Sequence, residues 1–164
     1  ARTGMARVQW SESEIVLVPG TALTLNGIAQ GYVADRVAHL LRSAGVTDVL
    51  IDTGEIVATG NAPQGEGWPV RILGGPRLEL RDRALATSSP LGTCLDPAGT
   101  VGHILDPRTG SPVGAGWNQI SISAKSAALA DAASTAACLA GSRAEIDRWF
   151  AAMPSAGLQI TWLA

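Results

Sequence analysis

A chain of 164 residues suits one domain and can bury roughly 70% of the surface that its unfolded form exposes. Apolar residues make up 46% and charged residues 16%, and the formal net charge of −2 leaves no electrostatic footprint for nucleic acid or anionic lipid. No apolar run reaches the length of about 18 residues that a membrane span needs, and the two cysteines, Cys94 and Cys138, are too few for a metal cluster and are expected as unpaired thiols.

Residues 14–18 read as a short strand ended by Pro19-Gly20. Asn26 is placed to cap a helix over about 28–43, with Gly45 as its stop. Val33, Val37, Leu40 and Leu41 form its apolar stripe, flanked by Asp35 and Arg36. Gly27 and Gly31, four apart at the start of that helix, share a face where a backbone or a ligand can come close. The free amides of a first helical turn favour an anion, although simple helix–sheet packing uses the same glycine spacing.

Residues 48–52 read as a buried strand, Thr53-Gly54 as a turn, and 56–59 as a second strand. A turn over 60–63 leads to a strand over 68–73, and 77–83 alternates charge with leucine as an exposed strand does. Residues 84–88 form a strand running into the loop that carries Cys94. Beyond it, 119–123 alternates as a strand, 126–140 is an alanine-dense helix stopped at Gly141, and Ser142 with Glu145 signs a last helix through about Met153. Residues 158–163 close the chain as a strand. Strands and helices alternate without a steady βαβ rhythm, so the expected class is α+β, a mixed sheet with packed helices in one domain.

Two segments carry the chemistry. The turn His103-Ile104-Leu105-Asp106-Pro107-Arg108-Thr109-Gly110 brings an imidazole, a carboxylate and a guanidinium within six positions. Pro107 fixes its backbone and Gly110 permits positive φ. Asp131 and Thr135 stand four apart, on one face of the alanine-rich helix. Both are poor interior helix formers, and such a helix offers an aspartate little solvation. Hard oxygen ligands with anion donors nearby are what a cation with bound phosphates needs, so a magnesium-dependent phosphate or nucleotide site is the reading to test. An exposed Asp131, with Thr135 bonded back to its own helix, fits the same sequence. Thr87-Ser88-Ser89 can bind phosphate or cap a turn; Glu55 can meet a ribose or adenine edge or stand as a solvated charge; Tyr32 can stack on a ring or pack. His39, beside Leu40, reads as a surface or packing residue.

Four blocks in this order resemble the ApbE family, the FAD:protein FMN transferases: Gly27-Ile28-Ala29-Gln30-Gly31-Tyr32 with Asp35; Leu50-Ile51-Asp52-Thr53-Gly54-Glu55-Ile56; Ala86-Thr87-Ser88; and His103 to Gly110 with Ala130-Asp131 to Thr135. They cover about residues 25–141. The Gly-Ile-Ala-Gln-Gly and Thr-Gly-Glu-Ile variants look most like the NosX branch, associated with nitrous oxide respiration. The resemblance implies that Mg²⁺ grips the pyrophosphate of FAD while a threonine hydroxyl of an acceptor flavoprotein attacks the FMN phosphorus and AMP leaves. It implies Asp131 and Thr135 as metal ligands, with main-chain carbonyls near Ala29 and Ser134 completing the shell. It places His103 by the reaction as general base or flavin-site residue, and gives Asp106 and Arg108 the holding of the loop or the nucleotide. Gly27, Ala29, Gln30, Tyr32, Glu55, Thr87 and Ser88 would surround FAD.

Thr24, Asn26, Gln30 and Ser89 stand where the common family form has an acidic residue, a glycine, a lysine and a glycine. Gln30 carries no charge, so a phosphate clamp there is weaker. Members of the family usually carry a further N-terminal part with a secretion signal. The chain is therefore expected to be a C-terminal portion of a periplasmic or secreted protein, serving a membrane-associated respiratory acceptor. Two rivals remain: hydrolysis of the FAD pyrophosphate with water in place of threonine, and a flavin-binding or partner-docking module without turnover.

Overall fold

A computed structural model describes residues 3–114 and 116–164. Short apolar-alternating segments form strands β1 (Val8–Trp10), β2 (Ile15–Leu17), β3 (Val49–Asp52), β4 (Ile56–Thr59), β5 (Trp68–Arg71), β6 (Arg77–Leu80), β7 (Arg83–Ser88), β8 (Ile120–Ala124) and β9 (Gln159–Leu163). The helices are α1 (Ala29–Ser43), α2 (Ala127–Ala137) and α3 (Arg143–Ala151). Five strands make one sheet in the order β3-β4-β7-β8-β9, while β1–β2 and β5–β6 are separate hairpins.

The class is α+β, as expected, but the five-stranded sheet is antiparallel at every pairing rather than mixed. Each connection returns the chain to the end of the sheet it has just left, whether through the Thr53-Gly54 turn or through α2 and α3; a parallel neighbour would need a crossover. Strand β8 is buried along its whole length. Its two inward polar residues are satisfied by neighbouring strands: Ser121 Oγ lies 2.8 Å from Thr87 Oγ1, and Ser123 Oγ accepts from Arg83 Nε at 2.8 Å.

The buried face of α1 differs from the predicted stripe. Gly31, Ala34 and Ala38 are buried, Val37 and Leu41 are partly so, and Val33 and Leu40 are 52% and 62% exposed. The reason lies in α2, which turns Ala127, Ala130, Asp131, Ser134 and Ala137 inward. Small residues on both helices let the backbones approach so closely that a Cβ on Gly31 would stand 2.2 Å from the Ala127 carbonyl oxygen. The glycine spacing thus serves helix–helix rather than helix–sheet packing.

Asp35 is no surface flank. Its carboxylate accepts from the amides of Ala127 at 2.8 Å and Ala128 at 2.9 Å, two of the orphan donors at the head of α2. Ser126 Oγ takes a third, from Leu129. Asn26 does not cap α1; the boundary residue is Ile28, without a side-chain cap, and the amides of Ile28 and Ala29 bond to Leu25 O. At α3 the capping box forms with a shift: Ser142 Oγ accepts from Glu145 N, while Glu145 Oε2 accepts from Gly141 N rather than from Ser142. Cys94 and Cys138 are both free. Among the described residues, no helix is long and apolar enough to cross a membrane.

Candidate active site

The α1–α2 contact opens at one end into a cavity of about 290 Å³. Asn26 and Gln30 enter it from the start of α1, Glu55 from the β3–β4 turn, and Thr87 and Ser88 from the end of β7. Thr93, His103 and Ile104 come from the β7–β8 connection, and Asp131 and Thr135 from α2. Segments more than a hundred residues apart in sequence therefore share one wall.

Asp131 is 5% exposed, and its Oδ2 accepts from Gly31 N at 3.0 Å. Burial pushes its carboxyl above the usual range, with the Gly31 amide partly offsetting that. One turn on, Thr135 Oγ1 reaches across to Ser88 Oγ at 3.1 Å. Ser88 Oγ also lies 2.8 Å from Ser134 Oγ, which bonds to Asp131 O at 3.0 Å. The Ser134 carbonyl accepts from the Cys138 thiol at 3.4 Å. Three hydroxyl side chains, Ser88, Ser134 and Thr135, thus gather where α2 meets β7. Gly27 borders it closely, since a Cβ there would meet Thr135 Cγ2 at 3.1 Å.

Glu55 is 6% exposed, and its Oε2 has no hydrogen-bond partner. Burial first, and then the negative charge of Asp131, raise its pKa to about 7, against the lowering effect of the Thr87 amide. A solvated charge it is not. His103 is exposed; both its amide, at 3.1 Å, and its Nδ1, at 3.1 Å, face Thr93 O. A carbonyl partner assigns the proton to Nδ1 and leaves the Nε2 lone pair free.

Other predicted residues lie differently. Ala29 is exposed in the first turn of α1, and Gln30 leans toward Gly54, its Nε2 within 3.5 Å of where a Cβ on that glycine would stand. Tyr32 is 58% exposed and does not line the cavity. Asp106 and Arg108 form a bidentate pair with contacts of 2.7 to 3.0 Å, and Arg108 Nη2 reaches Leu139 O at 3.5 Å. The guanidinium holds the Asp106 carboxyl below the usual range. The pair borders a separate cleft with Cys138 and Gly141, so it ties the loop to the end of α2 and stands outside the cavity. Thr93 gave no signal in the sequence, because its contribution is a carbonyl.

The cavity wall carries two carboxylates and, among the described residues, neither Lys nor Arg. No group of three or more His, Cys, Asp or Glu residues is poised to hold a metal among those residues. That donor set is wrong for a nitrogen- or thiolate-bound transition metal. It fits a hard cation such as Mg²⁺, which takes one or two carboxylates and fills its octahedron with water and ligand oxygens. The buried Asp131 carboxylate, whose one hydrogen bond is from the Gly31 amide, is the group that such an ion would balance.

An antiparallel α+β frame thus sets a buried carboxylate and a group of hydroxyls beside a helix start on one cavity. The chain belongs to the ApbE family, whose profile matches residues 1–156. The FAD:protein FMN transferase of Chlamydia trachomatis serovar D is 33% identical over 138 residues, covering 81% of this chain and 44% of that protein. The FAD:protein FMN transferase of Rhodobacter capsulatus is 32% identical over 132 residues, covering 75% of this chain and 25% of its own. Among solved structures, the ApbE protein of Thermotoga maritima superposes with a TM-score of 0.81 at 25% identity, over 98% of this chain and 58% of that one. The apo flavinyl transferase ApbE of Pseudomonas stutzeri gives 0.77 at 27% identity, over 98% and 55%. The chain spans about half, or less, of the length of these relatives.

Proposed function

We propose that this chain carries the reaction pocket of a magnesium-dependent FAD:protein FMN transferase, joining FMN through a phosphoester to a threonine of a flavoprotein acceptor with release of AMP. The observation that carries the reading is the convergence of buried Asp131, the Ser88–Ser134–Thr135 hydroxyl cluster and His103 on one cavity. Asp131 and Thr135 would hold Mg²⁺, with main-chain carbonyls near Ala29 and Ser134. When bound, the ion supplies positive charge to the pyrophosphate oxygens, which a wall without Lys or Arg cannot do.

The acceptor threonine Oγ forms the new bond to the FMN phosphorus, and the bond from that phosphorus to the bridging oxygen breaks. AMP leaves with the bonding electrons. Nε2 of His103 takes the threonine proton, because Nδ1 is committed to Thr93 O. Ser88 holds the Thr135 hydroxyl in place, and Gln30 offers a neutral donor to phosphate. Asp106 and Arg108 keep the His103 loop against α2 rather than touching nucleotide.

The test is the intact mass of a threonine-bearing acceptor domain after incubation with the protein, FAD and Mg²⁺. A gain of one FMN moiety, abolished by chelator, is the expected result. AMP without a mass gain would replace the transferase by an FAD pyrophosphate hydrolase, a reading that the solvent exposure of His103 favours as the second choice. Neither product would leave a binding module and defeat both readings. The Gly27–Gly31 and Thr53–Ile56 variants support the NosX branch, and with it a periplasmic site and a membrane-associated respiratory acceptor. Cell fractionation that recovers the protein with cytoplasmic markers would refute that placement.

A further inference from the structure

A second concavity, of about 270 Å³, opens toward the other end of α1. Its wall takes Asp35, His39 and Arg42 from α1, Asp82 and Arg83 from the β6–β7 turn and the start of β7, and Lys125 from the link between β8 and α2. Arg42 stands twelve residues along α1 from Gln30 of the reaction cavity, about 18 Å at the rise of an α-helix. The two walls differ in chemistry. Neither Lys nor Arg lines the reaction cavity among the described residues, whereas this cleft gathers two arginines and Lys125, the one lysine of the chain.

These cations are held together rather than paired off. Arg83 is half-buried, and its guanidinium is fixed by donation from Nε to Ser123 Oγ at 2.8 Å and from Nη2 to Gly157 O at 2.7 Å. The Lys125 stem packs on the same glycine, where a Cβ would stand 3.2 Å from Lys125 Cε. The β7–β8 register pairs Ala84 with Ala124, so one step further sets Arg83 opposite Lys125. Like charges placed opposite each other on neighbouring strands repel. The carboxylates of the wall are already engaged. Both oxygens of Asp35 accept from the amides heading α2, and Asp82 Oδ1 accepts from Gly60 N at 2.9 Å. Among the described residues the ion pairs are Asp106–Arg108 and Arg143–Asp147, so none of the three cations is matched to a carboxylate. The dipole at the C-terminal end of α1 favours Arg42 but does nothing for Arg83 and Lys125.

An oxyanion entering the cleft would relieve that repulsion and accept charge-assisted hydrogen bonds. A tetrahedral phosphate takes donors from several directions at once, which suits cations arriving from α1 on one side and from β7 and β8 on the other. We propose that this cleft is a second, metal-independent anion site, in which Arg42, Arg83 and Lys125 hold a phosphate group, free or borne by a small molecule. The site stands apart from the reaction cavity and from the transferase reading.

Lys125 supplies its own reporter. Reductive methylation with ¹³C keeps its charge and gives one lysine signal beside that of the amino terminus. Inorganic phosphate, titrated with a chelator present and chloride adjusted to constant ionic strength, should move that signal saturably, with half-saturation at about 1 mM or below. Arg42→Gln should weaken the response on the order of tenfold, the worth of one charge-assisted hydrogen bond at a partly exposed site. Lys125→Gln should lose the same factor in phosphate affinity by calorimetry, and Asp131→Ala should lose nothing. A phosphate monoester such as glycerol phosphate that binds more tightly than inorganic phosphate assigns a carried phosphate; equal or weaker binding assigns the free ion. A signal that drifts without saturating below about 10 mM phosphate overturns the site. So does a saturable response that both Arg42→Gln and Lys125→Gln leave intact, or one lost in Asp131→Ala, which would move the anion to the reaction cavity.

Discussion

Replacing Gly31 by alanine tests the close approach of α1 to α2. The new Cβ would stand 2.2 Å from Ala127 O, 2.5 Å from its carbonyl carbon and 2.7 Å from Ala128 N. Those are backbone atoms with no rotamer to move, so α1 and α2 must separate by about an ångström to reach ordinary contact. Helix propensity favours alanine by about 1 kcal/mol. Overpacking costs about 1–3 kcal/mol, and the separation also stretches the 3.0 Å bond from Gly31 N to the Asp131 carboxylate, worth about 1.5–3 kcal/mol. The balance is a loss of roughly 2–4 kcal/mol. For a chain of this size each kcal/mol moves Tm by about 2–4 °C, giving a fall of roughly 5–15 °C. Urea and thermal unfolding measure it, with Gly27→Ala as comparison, where the neighbour is the movable Thr135 side chain. A Gly31→Ala protein as stable as wild type, or more so, would mean that propensity rules and that the helices do not cross this closely.

Asp35→Ala removes the acceptor for two α2 amides and should cost about 1–2 kcal/mol in urea unfolding; an unchanged midpoint would show that water serves those donors equally well. The raised pKa of Glu55 sets a pH dependence without added metal or nucleotide. Between 4.5 and about 7 the folded protein holds a proton that the unfolded chain releases. Stability is therefore full below pH 4.5 and falls as pH climbs to about 7, by up to roughly 3 kcal/mol. Asp131, also raised, acts in the same sense. Glu55→Gln should flatten that profile, and a slope that persists undiminished assigns it to other groups. Asp131→Ala should abolish both Mn²⁺ binding and magnesium-dependent FMN transfer; activity surviving at saturating Mg²⁺ would put the metal elsewhere.

Much of the architecture was legible because local pattern and tertiary role agree. The β4 boundaries, the Thr53-Gly54 turn, the Gly45 stop and the closing strand follow from alternation and turn chemistry, and the structure has them there. The buried face of α1 was misread because a search for apolar stripes selects large residues, whereas two helices in close contact bury glycine and alanine. Asp35 looked like a flank because its partners lie 92 and 93 residues downstream. In the site, Asp131 and Thr135 stood out since they conflict with the alanine-rich helix around them, and only a tertiary partner resolves that conflict. Asp106 and Arg108 share a turn with His103, but two residues of separation let them close on each other and point away from the cavity. Tyr32 belongs to a motif block yet faces outward, which block matching along a sequence cannot distinguish.

The two helices exchange carboxylates: Asp35 of α1 serves the head of α2, and Asp131 of α2 serves Gly31 of α1. In each helix the lending residue and a receiving one, Gly31 with Asp35 and Ala127 with Asp131, are a single turn apart. One residue inserted or deleted between them swings everything beyond by about 100° around the helix axis. Both latches would then miss. Outward positions such as Val33 are open to many side chains, but the count of residues between the latches is not open to change. Drift in this pair of helices should thus run through substitution and avoid gaps, and a designer grafting the pocket onto another scaffold must carry over both turns as one unit.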